Sequence, residues 1–326
     1  MGRKHSNNRD KHAREGTHQH DLSHGSIDPS ILTSKKGIRA VKWSFLVLFV
    51  TAVFQIIVVI LSGSVALLSD TIHNFSDAAT AIPLGIAFLF ALRKPTRKFT
   101  YGFGRVEDMA GVAIVLTILL SAIAAGYESI HRLFHPQRID HIGAIILASI
   151  VGFLGNEVVA FFRIRTGKEI RSAALIADGY HARADGFTSL AVFFGAIGVW
   201  LGYSLADPII GLCITVAILR ITWNSVKTVF LRLLDGVESE VIDEIEHAVH
   251  HVAGVKEVSD MRVRWIGHRL HVEMSITVEP QLSVVEGHAI AKEVNHELCH
   301  HMSYLSKAVI HVDPLGEAGE KYHTER

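Results

Sequence analysis

The stretch WSFLVLFVTAVFQIIVVIL, residues Trp43–Leu61, decides the fold of this chain. Its length matches the roughly 20 apolar residues that a helix needs to cross the hydrocarbon of a bilayer. Its polar interruptions, such as Gln55, are mild. A long polar segment precedes it, and no small-residue cleavage site follows a short apolar core. The stretch therefore predicts a spanning helix and not a cleaved signal peptide.

Five further apolar stretches follow, at about residues 65–92, 109–130, 142–162, 173–201 and 205–222. The chain has 326 residues, of which 49% are hydrophobic and 20% charged, and its mean hydropathy is +0.31. A soluble domain carries about 25% charged residues, so a single soluble globule is excluded. We predict an α-helical polytopic membrane protein with six transmembrane helices.

Basic residues alternate between the two sets of loops. The basic set lies before span one, between spans two and three, between spans four and five, and after span six, at Lys35, Lys36, Arg39, Lys42, Arg93, Lys94, Arg97, Lys98, Arg105, Arg163, Arg165, Lys168, Arg171, Arg220, Lys227 and Arg232. The opposite loops contain only Arg132 and Arg138. By the positive-inside rule, the N- and C-termini are expected in the cytoplasm.

After Leu234 the pattern becomes that of a small soluble domain. Apolar residues recur at helical spacing over 241–252, two alternating strands follow, and a second amphipathic helix (about 283–301) precedes a short strand at 308–313. The order αββαβ predicts a ferredoxin-like α+β domain with both helices on one face of a three-stranded sheet. The expected parts of the chain are a disordered His-containing cytoplasmic tail (1–34), a membrane domain (35–234), this cytoplasmic domain (235–315) and a flexible end (316–326).

Charge and cysteine usage narrow the function further. The 32 Lys and Arg residues balance 32 Asp and Glu residues, and without a basic excess a nucleic-acid partner is not expected. Cys213 and Cys299 match neither a disulfide framework nor metal-binding CxxC spacing. Any metal site must therefore use histidine and carboxylate ligands.

Spans two and five contain the same pattern, DxxHxxxD, which reads DTIHNFSD over residues 70–77 and DGYHARAD over residues 178–185. On a helix these spacings place the three polar side chains on one stripe. Burying a carboxylate at the bilayer centre costs at least about 2.5 kcal/mol on insertion scales, so the duplication favours a functional site near the midplane. Two nitrogens and two oxygens suit tetrahedral zinc and would come from His73, Asp77, His181 and Asp185.

Other polar residues in the spans have more open interpretations. Asp70 and Asp178 precede the two histidines by one turn, and they could be ligands, partners that orient the imidazoles, steps on the ion path, or interfacial charges. Asn156 and Asp207 fit helix–helix hydrogen bonding and helix capping. Because imidazole titrates near neutral pH, metal binding at two histidines should displace protons and couple the two ions.

The chain resembles the cation diffusion facilitators over about residues 36–315. The resemblance rests on the six spans, HxxxD in spans two and five, the loop Tyr101–Glu107 (YGFGRVE), and an αββαβ tail ending in Ile310–Pro314 (IHVDP). It implies a homodimeric exporter that moves Zn²⁺ out of the cytoplasm in exchange for protons by alternating access. The two HxxxD pairs would form its transport site. The alternative cargoes are cobalt, cadmium, nickel, iron and manganese, and no organic cofactor is expected.

Resemblance also points to a metal site in the cytoplasmic domain. His288, His311 and Asp313 match ligands of relatives, and His271 and Glu273 lie near further ligand positions. Ser259 and Ser275 stand where some relatives have histidine. We therefore favour a weaker or regulatory Zn²⁺ site over a closed two-metal site, with exposed polar residues of an ordinary sheet as the alternative. Phe99 and Phe103 occupy the loop that carries histidine in relatives with an extra site, so no metal is predicted there.

Two other function classes compete with export. An intramembrane metallohydrolase would need a metal-activated water, but the sequence contains no HExxH motif. A membrane-tethered metal sensor would leave the duplicated intramembrane motif unexplained. The N-terminal tail contains five histidines, which either gather metal or lie in a disordered segment without a function of its own. They are His5, His12, His18, His20 and His24. A short chain without a long histidine loop between spans four and five fits a prokaryotic plasma membrane.

Overall fold

The computed structural model describes residues 29–62, 82–135, 142–203 and 205–316. Within these ranges, five helices are long and apolar enough to cross a membrane, and a shorter apolar helix accompanies them. The helices are α1 Pro29–Ser62, α2 Ile82–Ala91, α3 Arg105–Phe134, α4 Ile142–Glu169, α5 Ala173–Trp200 and α6 Ala206–Leu233. The first part of predicted span two lies outside the described residues. The remaining helices agree with the predicted polytopic membrane domain.

Several helices extend beyond the apolar stretches that predict them. Helix α1 begins at Pro29, within the predicted tail, and α6 continues to Leu233. Helix α4 continues to Glu169, so the assignment of Arg163 to a loop is wrong: this residue lies inside α4 and is 1% exposed. Hydropathy alone cannot locate such ends, because a charged side chain with a partner is tolerated inside a bundle.

The faces of the helices differ as a membrane protein requires. Helix α1 exposes a row of large apolar side chains, including Phe45, Phe49 and Ile57, while Leu48 and Gln55 are buried. Gln55 Nε2 donates to the carbonyl of Ala148 in α4 at 3.4 Å. The exposed rows can face lipid only because the backbone of each helix satisfies its own hydrogen bonds. The apolar interior between α3, α5 and α6 includes Ile114, Ile118, Leu175, Ile218 and Val229.

The C-terminal domain has the predicted αββαβ order. Its elements are α7 Ser239–His250, β1 Glu257–Ile266, β2 Arg269–Val278, α8 Val284–His301 and β3 Leu305–Pro314. The sheet order is β1-β2-β3, with β1 antiparallel and β3 parallel to the central β2. Alternate residues of β2, such as Leu270, Val272 and Met274, are buried against the helices. The opposite face of β2 carries its polar residues, as the period-two pattern predicts.

The two domains meet at the turn between β1 and β2. In this turn Gly267 adopts a left-handed backbone conformation (φ +63°), and its N–H donates to Asp108 Oδ2 at 3.1 Å. Arg269 Nη2 donates to the carbonyl of Ala91, the last residue of α2, at 2.7 Å. The turn therefore contacts the ends of membrane helices directly.

Candidate functional site

Helix α5 positions one half of the predicted transport site. It begins at the N-cap Ser172, whose hydroxyl accepts from the N–H of Leu175 at 3.1 Å. Asp178, His181 and Asp185 then follow on one stripe, and their exposed fractions are 0%, 1% and 6%. His181 Nδ1 lies 3.6 Å from Asp185 Oδ2. An imidazole and a carboxylate one turn apart are thus held together away from water, and both are ligand types that zinc accepts.

Asp178 forms a buried ion pair that the sequence did not predict. Its Oδ2 lies 2.9 Å from Nη1 of Arg163 in α4, and the two side chains are 0% and 1% exposed. Gly179 makes this approach feasible, because a Cβ at that position would lie 2.6 Å from Ile164. Among the described residues, the other guanidinium nitrogens of Arg163 have no hydrogen-bond partner. In this structure Asp178 therefore binds an arginine.

Arg163 is a site residue that sequence reasoning missed. It lies just beyond the predicted end of span four, where basic residues normally mark a loop. Its burial next to α5 shows that it belongs to the bundle interior. A useful signal would have been the glycines of α4 and α5, Gly167 and Gly179, each of which lets the facing helix approach closely.

The other half of the predicted site, Asp70, His73 and Asp77, lies outside the described residues. The four-ligand arrangement with His181 and Asp185 therefore stays a prediction. In the described ranges, no three His, Cys, Asp or Glu side chains are grouped so that they could hold a metal ion.

The two polar residues predicted to join helices have different outcomes. Asn156 is buried in α4, and its Cβ packs against Gly186 of α5; its hydrogen bonding between helices stays a prediction. The capping role of Asp207 is wrong, because the N-cap of α6 is Leu205 and no side chain caps it. Asp207 Oδ2 instead accepts from Nη1 of Arg132 in α3 at 3.2 Å. A cationic donor on the facing helix offers a stronger partner than the end of its own helix.

Within the described ranges, the predicted ligands of the C-terminal domain do not form a group of three or more that could hold a metal ion. His311 Nε2 lies 2.8 Å from Asp313 Oδ1 on β3, whereas Glu273 lies 3.5 Å from Nη2 of Arg264. His288 is exposed on α8. Of the predicted ligands in this domain, His311 and Asp313 form a pair in the structure. Metal binding by this pair stays a prediction.

His271 lies in a positively charged part of the sheet. Burial, together with the positive charges of Arg264, Lys307 and Arg269, lowers the pKa of His271 to about 4, although Glu273 opposes this shift. Its imidazole is therefore neutral at pH 7. Nearby positive charges disfavour a divalent cation at this position.

We expect His271 to titrate near pH 4 in an NMR titration of the imidazole resonances. Between about pH 6.5 and 4, the unfolded chain binds a proton that folded His271 does not, so stability falls as the pH falls through this range. The His271→Gln variant should lose less stability between pH 7 and 5 than the unaltered protein. His288→Gln, which changes an exposed histidine, is the matched control. A midpoint above pH 6 would contradict this prediction.

A polar cluster joins the C-terminal domain to the membrane helices, and sequence reasoning missed its centre. His268 Nδ1 lies 2.6 Å from Glu107 Oε2 in α3, and both side chains are 1% exposed. Ser34 Oγ of α1 lies 3.1 Å from His268 Nε2. Ser172 Oγ, at the start of α5, donates to Glu107 Oε1 at 2.5 Å. The cluster thus connects the turn of the C-terminal domain to the helix that carries His181.

A second set of contacts supports this junction from α6. Arg232 Nη2 donates to Glu238 Oε1 at 3.2 Å, and Trp265 Nε1 donates to Glu238 Oε2 at 3.0 Å. Burial raises the pKa of Glu238, but the charge of Arg232 and these hydrogen bonds outweigh it, so the pKa lies below its usual value. Arg105 pairs with Asp235 in the segment after α6. Ionised partners therefore hold the end of α6 to the C-terminal domain.

Gly104 allows the β1–β2 turn to approach α3. A Cβ at Gly104 would lie 2.7 Å from the carbonyl oxygen of Ile266. We expect Gly104→Ala to push the turn away and to cost about 1–3 kcal/mol of docking free energy. Amide hydrogen exchange at Gly267 and His268 should then accelerate about tenfold or more. Gly143→Ala is the matched control, because nothing lies within 4 Å of a Cβ there. Unchanged exchange in Gly104→Ala would show that the close approach does not hold the turn.

Comparison with known proteins adds evidence independent of the geometry. A family model described as the cation efflux transmembrane domain matches residues 41–234. A second model, described as the cytoplasmic domain of cation efflux proteins, matches residues 237–315. Both ranges fall within the region of resemblance described above.

Individual relatives cover most of the chain. A protein of Mycobacterium tuberculosis (strain CDC 1551 / Oshkosh), named a probable cation efflux system protein, is 54% identical over 91% of this chain and 89% of its own length. A protein of Bacillus velezensis, named cadmium, cobalt and zinc/H(+)-K(+) antiporter, is 27% identical over 73% of this chain and 77% of its own length. The zinc transporter ZitB of Yersinia pseudotuberculosis is 28% identical over 74% and 77%, respectively.

Proposed function

This chain belongs to the cation efflux family, the cation diffusion facilitators that export divalent metal ions, and from this premise we propose that it moves Zn²⁺ out of the cytoplasm in exchange for protons. The observation that carries the proposal is the buried pair of His181 and Asp185 on α5. With His73 and Asp77, this pair would offer the two nitrogens and two oxygens that zinc accepts. The names of two relatives, one a zinc transporter and the other a cadmium, cobalt and zinc antiporter, support this choice of cargo.

Proton exchange follows from the chemistry of the proposed ligands. Zinc binds neutral imidazole and ionised carboxylate, so its arrival releases protons and their return weakens its binding. His181 and Asp185 are buried. Because protons and the metal would bind the same two side chains, proton uptake competes directly with metal binding. The Bacillus velezensis relative is named an antiporter of H(+) and K(+).

We propose a plasma-membrane location, because the chain lacks a long histidine loop between α4 and α5, and cytoplasmic termini, which the alternating basic loops support. We also propose a homodimer in which the C-terminal domain contributes contacts. Two valines at the start of α8, Val284 and Val285, are 89% and 78% exposed, and exposed apolar side chains of this kind favour an interface. We propose the His311–Asp313 pair, 2.8 Å apart, as the place where cytoplasmic Zn²⁺ regulates the protein.

Metal uptake into inside-out vesicles tests the proposal. Vesicles that contain the protein should accumulate Zn²⁺ when their interior is more acidic than the bath, and a proton ionophore should remove most of this uptake. Cobalt, cadmium, nickel, iron and manganese are then tested one at a time under the same gradient. Zinc uptake that ignores the gradient would reject proton exchange. Uptake of another metal without zinc uptake would reject zinc as the cargo.

A further inference from the structure

A cavity lies between α3, α5 and α6, in the half of the membrane domain far from the C-terminal domain. Its volume is about 140 Å³, which is enough for several water molecules. Most of its lining surface is apolar, and the polar or charged residues that border it are Glu128, Ser129, Arg132, Thr188, Asp207 and Thr215. The mechanism proposed above does not use it.

The cavity continues the stripe of α5 that carries the proposed transport site. Thr188 is three residues beyond Asp185 and seven beyond His181, so all three share one side of the helix. At a rise of about 1.5 Å per residue, Thr188 lies roughly 4.5 Å farther along the helix axis than Asp185. An ion that leaves Asp185 away from the cytoplasm would meet this cavity within one helical turn.

The charges around the cavity suit a passing cation. Arg132 Nε lies 2.9 Å from Glu128 Oε1, and Arg132 Nη1 lies 3.2 Å from Asp207 Oδ2. Two carboxylates and one guanidinium leave a net negative charge, which attracts a divalent cation. The carboxylates would therefore draw the cation outward from the neutral Thr188.

The same ion pairs join two walls of the cavity. The side chains of Arg132 and Asp207 are 38% and 19% exposed, so the pair lies at the mouth and not in the floor. Since Glu128 and Arg132 belong to α3 and Asp207 begins α6, the pair ties these two helices together. On the inner side, the apolar side chain of Ile218, which is 3% exposed, lines the cavity.

We propose that this cavity is the vestibule through which the metal cation leaves the transport site, and that the Arg132–Asp207 ion pair is the clasp that ties α3 to α6 beside it and limits its width. A divalent cation that enters the cavity repels the guanidinium and competes for the carboxylates of Asp207 and Glu128. The clasp then opens and releases α3 from α6 at the outer end. This inference rests on the proposed export function and on the expected orientation of the chain.

Cysteine accessibility in the full-length protein tests the clasp. Cys213 and Cys299 are first replaced with serine, and Thr188→Cys is introduced as the reporter. A small cationic, membrane-impermeant methanethiosulfonate is then added outside intact cells. We expect slow modification at rest and at least about fivefold faster modification when cytoplasmic Zn²⁺ is raised. In Arg132→Gln, modification should be fast without added Zn²⁺, because the tie between α3 and α6 is absent.

Matched variants keep the result interpretable. Arg165→Gln removes an exposed arginine of α4 and should leave the modification rate at rest unchanged. Arg132→Lys retains the positive charge and should give an intermediate rate, which a general loss of folding would not produce. A separate Tyr203→Cys reporter, at a residue that is 70% exposed, should react from outside in every background.

Two outcomes would overturn the vestibule. One is Thr188→Cys modification only from the cytoplasmic side, and the other is an equal rate with and without Arg132. Zinc uptake by the unaltered protein separates this failure from that of the proposed function. If uptake is intact while Thr188→Cys fails to respond, the vestibule is wrong and export stands. If no metal is taken up, export itself is wrong.

Discussion

Zinc uptake into vesicles is expected to fall by at least about 100-fold when Asp185 is replaced with asparagine. The substitution keeps the size of the side chain but removes the negative charge that lies 3.6 Å from His181. Loss of a group that merely supports a metal ligand typically costs 10–100-fold in affinity or activity, and loss of a ligand should cost more. Asp185 is only 6% exposed, so water cannot readily take its place.

The measurement is the initial rate of Zn²⁺ uptake, together with calorimetric binding of Zn²⁺ to the purified protein. Thr222→Val is a suitable control, because Thr222 is also buried (1% exposed) but lies on α6, where its hydroxyl donates to the carbonyl of Ile218 in the same helix. His181→Ala should give a loss as large as that of Asp185→Asn. An undiminished uptake rate in the Asp185 variant would exclude this stripe of α5 as the transport site.

Arg163→Met is expected to lower the free energy of unfolding by about 3–5 kcal/mol, because it leaves the carboxylate of Asp178 buried without its partner. Both side chains are at most 1% exposed, so solvent cannot compensate. The double variant Arg163→Met/Asp178→Leu should recover most of this loss, since a buried ion pair can often be replaced by apolar side chains at little cost. Unfolding of the detergent-solubilised protein by denaturant measures both changes.

Transport by the same double variant distinguishes a structural role of Asp178 from a part in the ion path. Asp178 shares the stripe of His181 and Asp185, so we expect uptake to stay low even where stability recovers. Recovery of both quantities would assign the Arg163–Asp178 pair to stability alone. Arg165→Gln, at an exposed position of the same helix, controls for the loss of an arginine.

The parts of the fold that depend on local periodicity could be predicted from the sequence. The apolar stretches identify the spans, and spacings of three and four residues place Asp178, His181 and Asp185 on one side of α5. Alternation in β2 identifies the core of the C-terminal domain. These inferences succeed because each pattern repeats with the geometry of its own element.

The contacts that join distant parts of the chain could not be predicted in this way. Glu107 and His268 are far apart in sequence, and neither the start of a helix nor a two-residue turn indicates which partner it will meet. Asp207 has the sequence position of a helix cap, yet Arg132 on another helix is its partner. Arg163 has the sequence position of a loop residue, and only the close packing of α4 and α5 places it beside Asp178.

The β1–β2 turn limits how freely the two domains could be exchanged between related proteins. Its residues Gly267 and His268 pack against Gly104, which precedes α3, and Glu107 of α3. One inserted residue would also move the side chains of β2 to the opposite face of the sheet. A chimera that receives a foreign C-terminal domain should therefore assemble only when the segment from Tyr101 to Glu107 is transplanted with it. The two domains occupy separate parts of the sequence. At this turn, however, residues of both domains would have to change together in related proteins.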